Sequence, residues 1–384
     1  MAGGRRRFLM VHWDGAGNLP PQRALAREMI RRGHEVHILS HDSVAKRMAA
    51  DGATFHPLPT APQTIETEHP ETGLEELRVA ARLCWFNAAF AEDFLTVTRA
   101  VAPDALIIDA TLRCVQAVAA DIPLPAVIMG HTIYTPRSPG GLFDQIAAPE
   151  DTPMIARADG WAKERLTLIP SYAAFNPLPH VPANVRHVGP IREAVESRPW
   201  PRAHTDRALV LVSLSTSFMN QAPLLQRLCD ALAPLTVEAL ITTGPAMAPE
   251  QFTAPDHIAL RQFIPHDEIL PFADLAITHC GHGTVMAAAG AGAPLLCLPM
   301  GRDQPFVAGR VEALGLRRTL DPTSPAEAIG AAVREMLGDA GWKARAESFA
   351  AGVERFGDLR GAGDAVEAVR HQQVGSAYPD RLPS

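Results

Sequence analysis

The sequence predicts an α/β fold of two domains, each built on a parallel sheet with crossover helices. Short apolar runs alternate with helical patterns through the first half, and the same alternation restarts at residue 208. Such alternation is typical of parallel sheets, in which a helix joins each strand to the next. A chain of 384 residues is also longer than one hydrophobic core usually serves. We therefore expect two domains of similar size.

Composition and charge narrow the class of protein. The chain is 47% hydrophobic and 20% charged, with a formal net charge of −7, which is typical of a folded globular protein. It has no basic excess that would favour nucleic acid, and the basic run at 5–7 is interpreted as a solvated cluster. The apolar run at 8–13 ends at Asp14 and Gly15, too soon for a signal peptide or a membrane span. A cytoplasmic location is expected.

The five cysteines are widely spaced and form no CxxC pair. This pattern favours neither a metal site nor a disulfide framework, so five buried thiols in a reducing cytoplasm are predicted. The five are Cys84, Cys114, Cys229, Cys280 and Cys297.

In the first half, a helix is predicted over about 21–32, since Gly33 provides a C-terminal stop after two arginines. A long helix is predicted from Glu75 to about Ala100. Two later strands, at 105–108 and 126–129, lead to Asp109 and to His131. Because ligands gather at the carboxyl ends of parallel strands, both side chains are candidate site residues. The stretch at 132–161 has weak periodicity and is interpreted as a functional loop region.

The domain boundaries follow from composition. A proline-rich and charged segment with no periodicity separates the two halves and is the expected linker. The predicted units are a first domain at 1–190, a linker at 191–207, a second domain at 208–355, and a C-terminal helix with a tail at 356–384.

The densest chemical signal is the run HCGHGT at 279–284. A buried strand ends at His279, a short turn carries Gly281 and Gly283, and a helix is predicted to start near Thr284. The free N–H groups and the dipole at a helix N-terminus favour an anion, and glycine permits close approach of the backbone. The run therefore predicts a diphosphate site that needs neither lysine nor metal.

Two neighbouring stretches complete a candidate nucleotide-sugar site. The strand at 294–299 leads to Asp303 and Gln304, whose carboxylate and amide can bond several sugar hydroxyls. Upstream, Phe263 and Ile264 could flank a planar base. Base, diphosphate and sugar thus each have a candidate holder in one domain.

These motifs resemble a known family. HCGHGT, followed by PMGRDQ and preceded by FIPHDEILP, resembles the nucleotide-sugar-binding half of the family 1 glycosyltransferases, the GT-B group that acts on antibiotics, macrolides, flavonoids and other lipophilic acceptors. The resemblance covers nearly the whole chain, since RRGHEVHILS at 31–40 and PDALIIDA at 103–110 are also similar to family segments. It implies a GT-B fold: two Rossmann-like α/β domains facing each other across a cleft, the first binding the acceptor.

The resemblance also implies roles for individual residues. The reaction would be inverting and would use no bound metal, and the departing diphosphate would be stabilised by the helix N-terminus. The implied donor contacts are His279, Gly281, Gly283 and Thr284 on the diphosphate, Asp303 and Gln304 on the sugar, and Phe263, Ile264, Thr243 and Ser217 in the rest of the donor site. The implied acceptor contacts are His12, His131 and Trp85.

The catalytic base is the point at which the sequence departs from the family. Family members commonly carry a histidine after the first strand, partnered by an aspartate at the acidic strand end; here Asn18 stands at the histidine position and Asp109 at the aspartate position. Three hypotheses remain open. In the first, Asp109 takes the acceptor's proton directly and Asn18 orients Asp109. In the second, Asp14 or His12 is the base. In the third, His131 extends from the next strand end and is the base. Asp109 is the preferred candidate, and an already activated acceptor or a carbon nucleophile would need less base strength.

The functional hypothesis is transfer of a hexose from a UDP- or TDP-sugar to a small lipophilic acceptor by a monomer or homodimer, with no cofactor beyond the donor. The alternative is a catalytically silent relative that acts as an auxiliary or binding protein, because the usual histidine is missing. An epimerase would need acidic and basic groups around the sugar in both domains. A dehydrogenase is disfavoured because GAGNLPP at 15–21 lacks the third glycine of the dinucleotide fingerprint.

Overall fold

A computed structural model describes residues 4–15, 17–63, 74–135, 142–191, 198–214, 219–354 and 357–369. The first sheet has seven parallel strands in the order β3-β2-β1-β4-β5-β6-β7. Its strands are β1 Arg7–Val11, β2 Glu35–Ser40, β3 Thr54–Pro57, β4 Ala105–Asp109, β5 Ala126–Met129, β6 Leu166–Ile169 and β7 Val185–His187. The central strands β1 and β4 are apolar along almost their whole length because both faces of the sheet are covered.

The second sheet has six parallel strands in the order β10-β9-β8-β11-β12-β13. Its strands are β8 Ala208–Ser213, β9 Val237–Thr242, β10 Ile258–Arg261, β11 Leu275–Thr278, β12 Leu295–Cys297 and β13 Arg317–Thr319. Both sheets therefore share one doubly wound order, in which the order reverses beside the first strand of each half. The two-domain Rossmann-like α/β fold is confirmed.

Helices connect the strands and cover the sheets. Those of the first half are α1 Leu19–Arg31, α2 Ala45–Ala50, α3 Leu74–Ala80, α4 Ala88–Val101, α5 Arg113–Ala119, α6 Leu142–Ile146 and α7 Thr152–Ala162. Those of the second half are α8 Ala222–Leu232, α9 His282–Ala291, α10 Gln304–Ala313, α11 Ala326–Gly338, α12 Ala340–Ala351 and α13 Leu359–Ala368.

The long helix predicted from Glu75 to Ala100 is wrong in one respect, because it is two helices. A π-helical turn at Ala81–Trp85 follows α3, and the chain then leaves helical geometry at Asn87, whose φ and ψ are −78° and 121°. The Asn87 side chain accepts hydrogen bonds from the amides of Ala89 and Phe90, so it caps α4. The region interpreted as loop at 132–161 also contains a regular helix, α7.

The prediction of five free thiols is wrong for two of them. Cys280, just after β11, and Cys297, at the end of β12, form a disulfide with a Cα–Cα distance of 5.7 Å. The parallel pairing of β11 with β12 places Thr278 opposite Cys297, so residues 17 positions apart in sequence become neighbours. Cys84, Cys114 and Cys229 are free and buried, as predicted.

A short segment of the first half packs into the core of the second. Tyr172 and Phe175 are buried and meet the ring of Phe349 in α12 at centroid distances of 5.8 and 5.6 Å. Arg310 of α10 also donates hydrogen bonds to the carbonyls of Phe175 and Asn176. The two halves are thus joined by packed aromatic surface as well as by the connecting chain.

The last described helix, α13, returns to the first half. Ala362, Ala365 and Val366 are buried with Leu25 and Met29 of α1 in one apolar cluster. Beside it, Arg32 donates to Glu28, to Asp364 and to Glu367. His34 lies 2.7 Å from Glu367, which adds a second polar contact to the same helix. Packing and ion pairs together therefore hold the C-terminal helix on α1.

We expect Arg32→Ala to loosen α13 selectively, because Arg32 is the only side chain in this described contact that pairs with Glu28, Asp364 and Glu367 together. Loss of about 1–2 kcal/mol of local stability would speed amide exchange across 359–368 by about tenfold. Hydrogen exchange measures this. Arg31→Ala is the control, since the Arg31 side chain is 63% exposed and pairs with Glu28. Equal exchange rates in the two variants would contradict the assignment.

Candidate active site

The candidate site lies where the strand order reverses in each sheet. In the first sheet, β1 leads into the turn that contains Asn18, and β4 ends at Asp109. In the second sheet, β8 ends at Ser213, and β11 leads to His279. Helices leave neighbouring strands in opposite directions at such a point, which opens a crevice for a ligand.

Asp109 is a fully enclosed carboxylate. Its Oδ1 accepts hydrogen bonds from the Thr111 amide at 2.8 Å and from the Thr111 hydroxyl at 2.6 Å. Its Oδ2 accepts from Asn18 Nδ2 at 3.1 Å and lies 3.5 Å from His131 Nδ1. Burial alone would raise the pKa of Asp109, but the charge of His131 and these hydrogen bonds outweigh burial, and the pKa is lowered. Asp109 is therefore an anion with no exposed surface.

Asn18 connects the first turn to Asp109. Its Nδ2 also donates to the Trp13 carbonyl at 3.2 Å, and its Oδ1 accepts from the Gly15 amide at 3.1 Å. It stands at the N-cap position of α1, yet its side chain makes no capping hydrogen bond. The amide instead ties β1 to β4, so Asn18 is a structural link between the two strand ends.

His12 and Asp14 are held by other partners. His12 has no exposed surface, its Nδ1 lies 3.2 Å from Ser40 Oγ, and burial lowers its pKa to about 4. Asp14 accepts a hydrogen bond from the Ser43 hydroxyl at 2.6 Å, and Arg47 lies 3.8 Å from the same oxygen. These contacts direct both side chains to the β2 side of the turn.

Trp85, a predicted acceptor contact, belongs to an aromatic group. Its ring packs edge-on against Trp13 and Phe143, at centroid distances of 5.5 and 6.3 Å. Sequence reasoning missed Trp13, although it lies only two residues beyond the end of β1. The Trp13 indole donates to Thr111 Oγ1 at 2.9 Å, and that hydroxyl in turn donates to Asp109. The Trp13 ring is thereby fixed beside the buried carboxylate, whereas Trp85 itself is buried in the core.

The HCGHGT turn joins β11 to a helix as the sequence predicts, but the helix starts two residues earlier than expected and the left-handed residue is a cysteine. Cys280 has a φ of 67°, Gly281 is the N-cap, and α9 begins at His282. A Cβ on Gly281 would lie 2.6 Å from His279 Nε2, so glycine leaves the room that the imidazole needs in this position. Burial lowers the pKa of His279 to about 4, so its imidazole is neutral at pH 7. The negative charge of a bound anion would be met by backbone N–H groups.

A cleft of about 440 Å³ extends from this turn and has walls from both halves. Phe263, Ile264 and Thr284 line it from the second half, and Arg23 and Arg27 of α1 line it from the first. Phe263 is 74% exposed, which leaves its ring face available to a planar base. Thr243 is buried and donates to the Met247 carbonyl. Ser217, also predicted for the donor site, lies outside the described residues.

The turn before α10 is shaped by Gln304. The Gln304 Oε1 accepts from the amides of Met300 at 2.7 Å and Gly301 at 3.2 Å, and the side chain is buried. Arg302 has a φ of 57°, which is costly for a residue other than glycine. Asp303 at the N-cap of α10 lies just outside this anchored turn. Gln304 therefore holds the shape of the turn from which Asp303 projects.

Two contacts cross from the first half to this turn. The Thr132 hydroxyl, three residues beyond Met129 at the end of β5, donates to Asp303 Oδ2 at 2.6 Å. Arg302 pairs with Glu76 of α3 through its Nε at 2.8 Å. Sequence reasoning missed Thr132 and Glu76, because each faces a residue more than 150 positions away. The segment at 130–132 thus bridges Asp109 and Asp303.

No helix in the described ranges is long and apolar enough to cross a membrane. No group of three or more histidine, cysteine, aspartate or glutamate side chains within those ranges is arranged to hold a metal ion.

The chain is similar to known glycosyltransferases. Residues 226–354 match the family model described as erythromycin biosynthesis protein CIII-like, C-terminal domain. The NDP-glycosyltransferase YjiC of Bacillus licheniformis is 32% identical over 165 residues, which are 42% of this chain and only 41% of that relative. The zeaxanthin glucosyltransferase of Pseudescherichia vulneris is 23% identical over 92% of this chain and 94% of its own length.

The solved structures agree on the fold. CalG4, the calicheamicin glycosyltransferase, superposes with a TM-score of 0.80 at 22% identity and covers 97% of this chain and 100% of its own. The architecture is therefore that of the GT-B glycosyltransferases. The matched family model, the relatives named glycosyltransferases and the solved glycosyltransferase structures together support a bacterial natural-product glycosyltransferase of family 1.

We expect Gly281→Ala to displace His279, because the added Cβ would meet the imidazole at 2.6 Å. Nucleoside diphosphate affinity would fall by about tenfold or more, measured by calorimetry, and a shift of the His279 NMR resonances would accompany the loss. Gly309→Ala is the matched control, since a Cβ there meets nothing within 4 Å. Unchanged affinity in Gly281→Ala would show that the position of His279 is irrelevant to the anion.

Acid should destabilise the fold through its buried neutral histidines. Burial lowers the pKa of His12, His279 and His282 to about 4, whereas the unfolded chain titrates near 6.5. Below pH 6.5 the unfolded state binds protons that the folded state does not, so stability is lost as pH falls towards 4. Each histidine would contribute about 2–3 kcal/mol between pH 7 and 4.5.

The measurement is urea unfolding at several pH values. His12→Gln should flatten this pH dependence, while His180→Gln, at an exposed position, should leave it as in the parent protein. A slope that is the same in all three proteins would rule out His12 as a contributor.

Proposed function

We propose that the protein transfers a hexose from a UDP- or TDP-sugar to a small lipophilic acceptor with inversion at the anomeric carbon. The observation that carries this proposal is the Thr132 to Asp303 hydrogen bond, which joins the acceptor-side strand ends to the turn expected to hold the sugar. A donor bound to the second half and an acceptor bound to the first half would meet at this hydrogen bond.

The donor half of the proposal rests on the HCGHGT turn and the cleft beside it. The N–H groups at the start of α9 would bind the diphosphate and stabilise the charge that grows on it as the bond to the sugar breaks. Because backbone amides serve this purpose, we propose that no metal is needed. Phe263 and Ile264 would flank the base, and the Asp303 carboxylate would accept hydrogen bonds from sugar hydroxyls.

The acceptor half rests on the aromatic group of Trp13, Trp85 and Phe143 beside Asp109. Such rings favour a planar or apolar molecule. The names of two similar proteins also favour a small lipophilic acceptor, since one is a zeaxanthin glucosyltransferase and the other is the calicheamicin glycosyltransferase.

Transfer assays test the proposal directly. Purified protein is incubated with UDP- and TDP-hexoses and a panel of phenolic and macrolide acceptors, and the anomeric configuration of the product is read by NMR. We expect an inverted glycoside, formed equally well after treatment with EDTA. Nucleotide binding without transfer or donor hydrolysis across the panel would instead indicate the catalytically silent alternative.

Asp303→Asn should weaken use of the sugar donor without weakening binding of the nucleotide. Loss of charge-assisted hydrogen bonds to hydroxyls corresponds to about 10- to 100-fold in kcat/KM. The Kd for the free nucleoside diphosphate should change less than twofold, because Asp303 would contact only the sugar. Asp321→Asn is the control, since that carboxylate bonds Thr323 within a partly exposed turn. An equal loss of nucleotide affinity in Asp303→Asn would contradict the sugar assignment.

A further inference from the structure

The buried Asp109 carboxylate is badly placed to accept a proton from an acceptor. It has no exposed surface, and both oxygens are already engaged by Thr111, Asn18 and His131. Its lowered pKa also makes it a weak base. An acceptor hydroxyl could reach Asp109 only by displacing one of these neighbours, which would leave a buried anion short of hydrogen bonds. The preference for Asp109 as the direct base is therefore at odds with its surroundings.

The other candidates near the first turn fit no better. The Asn18 amide has no basic atom, and its donors and acceptor are used on Asp109, Trp13 and Gly15. His12 has no exposed surface, and the Asp14 carboxylate is held by Ser43 and Arg47.

His131 lies between Asp109 and the turn that carries Asp303, a position that the other candidates do not have. It directly precedes Thr132, which bonds the sugar-side Asp303, and its own Nδ1 lies 3.5 Å from Asp109 Oδ2. The His131 side chain is 21% exposed, and since Nδ1 is buried, that exposed surface belongs to its other atoms. One edge of the ring thus faces a buried carboxylate while the rest reaches the region between the acceptor and sugar sides.

We propose that His131 is the catalytic base of this glycosyltransferase, with Asp109 as its buried partner and Asn18 as a positioning residue. The proposal rests on the proposed transfer function. His131 Nε2 removes the proton of the acceptor hydroxyl while that oxygen bonds to the anomeric carbon. The bond from the anomeric carbon to the diphosphate oxygen breaks, and its electron pair leaves with the nucleotide. The proton remains on His131, where Asp109 stabilises the imidazolium.

The charges around His131 suit a base. Burial opposes its protonated form, but Asp109 and Asp303 outweigh burial, so the pKa of His131 is raised. The third titratable neighbour, His282, has its pKa lowered to about 4 and is neutral at working pH. His131 is therefore a stronger base than free imidazole, and it is active when deprotonated. Activity with hydroxyl acceptors should rise as pH increases through the raised pKa.

Kinetics separate this role from a structural one. We expect His131→Gln to lower kcat by about 100- to 10,000-fold and to abolish the rise of activity with pH. The Kd for the nucleoside diphosphate should change less than twofold. The exposed His180→Gln serves as the matched control and should behave as the parent protein does. A kcat within threefold of the parent value, or an equal loss of nucleotide affinity, would overturn the proposal.

A second variant tests the dyad by rescue. Asn18 Nδ2 lies 3.1 Å from Asp109 Oδ2, so a histidine at position 18 could pair with the same carboxylate. Asn18→His placed on His131→Gln should recover at least tenfold in kcat, whereas Asn18→Gln on the same background should recover nothing. Equal kcat values in these two double variants would contradict the dyad.

NMR titration tests the dyad without any turnover, so its outcome is independent of the proposed function. In the resting protein the pKa of His131 should lie above the ordinary histidine value, and in Asp109→Asn it should fall because Asp303 alone then opposes burial. An unchanged titration in Asp109→Asn would overturn the pairing. If the pairing holds and no acceptor is glycosylated, only the transfer function fails.

Discussion

The buried charge of Asp109 is the interaction on which the rest of the site depends. A carboxylate without exposed surface is stable only if donors and positive charge surround it; Thr111 and Asn18 donate hydrogen bonds, and His131 Nδ1 lies 3.5 Å away. Each of these three residues brings a different element to the same point. Asn18 fixes the turn after β1, Thr111 carries the hydrogen bond from Trp13, and His131 orients the end of β5. The geometry of the acceptor side thus follows from satisfying one anion.

In the second half, backbone groups rather than charged side chains would meet the charge of the diphosphate. Glycine and a left-handed Cys280 open the HCGHGT turn, and the free N–H groups of α9 face the place expected for the diphosphate. His279 and His282 remain neutral there because burial lowers the pKa of each. The site would therefore bind a negative leaving group through dipoles rather than full charges, which suits charge that increases during the reaction.

Much of the fold could be predicted because it depends on local patterns. Buried parallel strands are short apolar runs, and the runs at 105–108, 126–129 and 208–212 all became strands. Local patterns fail where two signals compete. The apolar spacing of 75–100 continues through Asn87, yet a capping asparagine starts a new helix there. The disulfide of Cys280 with Cys297 was missed because strand pairing, not sequence spacing, brings the two cysteines together.

By itself the sequence determined the type of fold, the turn predicted to bind an anion and the absence of a histidine at position 18, because each depends on adjacent residues. Only the tertiary structure decided what surrounds Asp109 and what lies opposite Asp303. Asn18, Asp109 and His131 are distant along the chain, and Thr132 meets a residue of the other half. The exposure and pKa of a side chain depend on such distant neighbours. The assignment of the base therefore needed the folded protein.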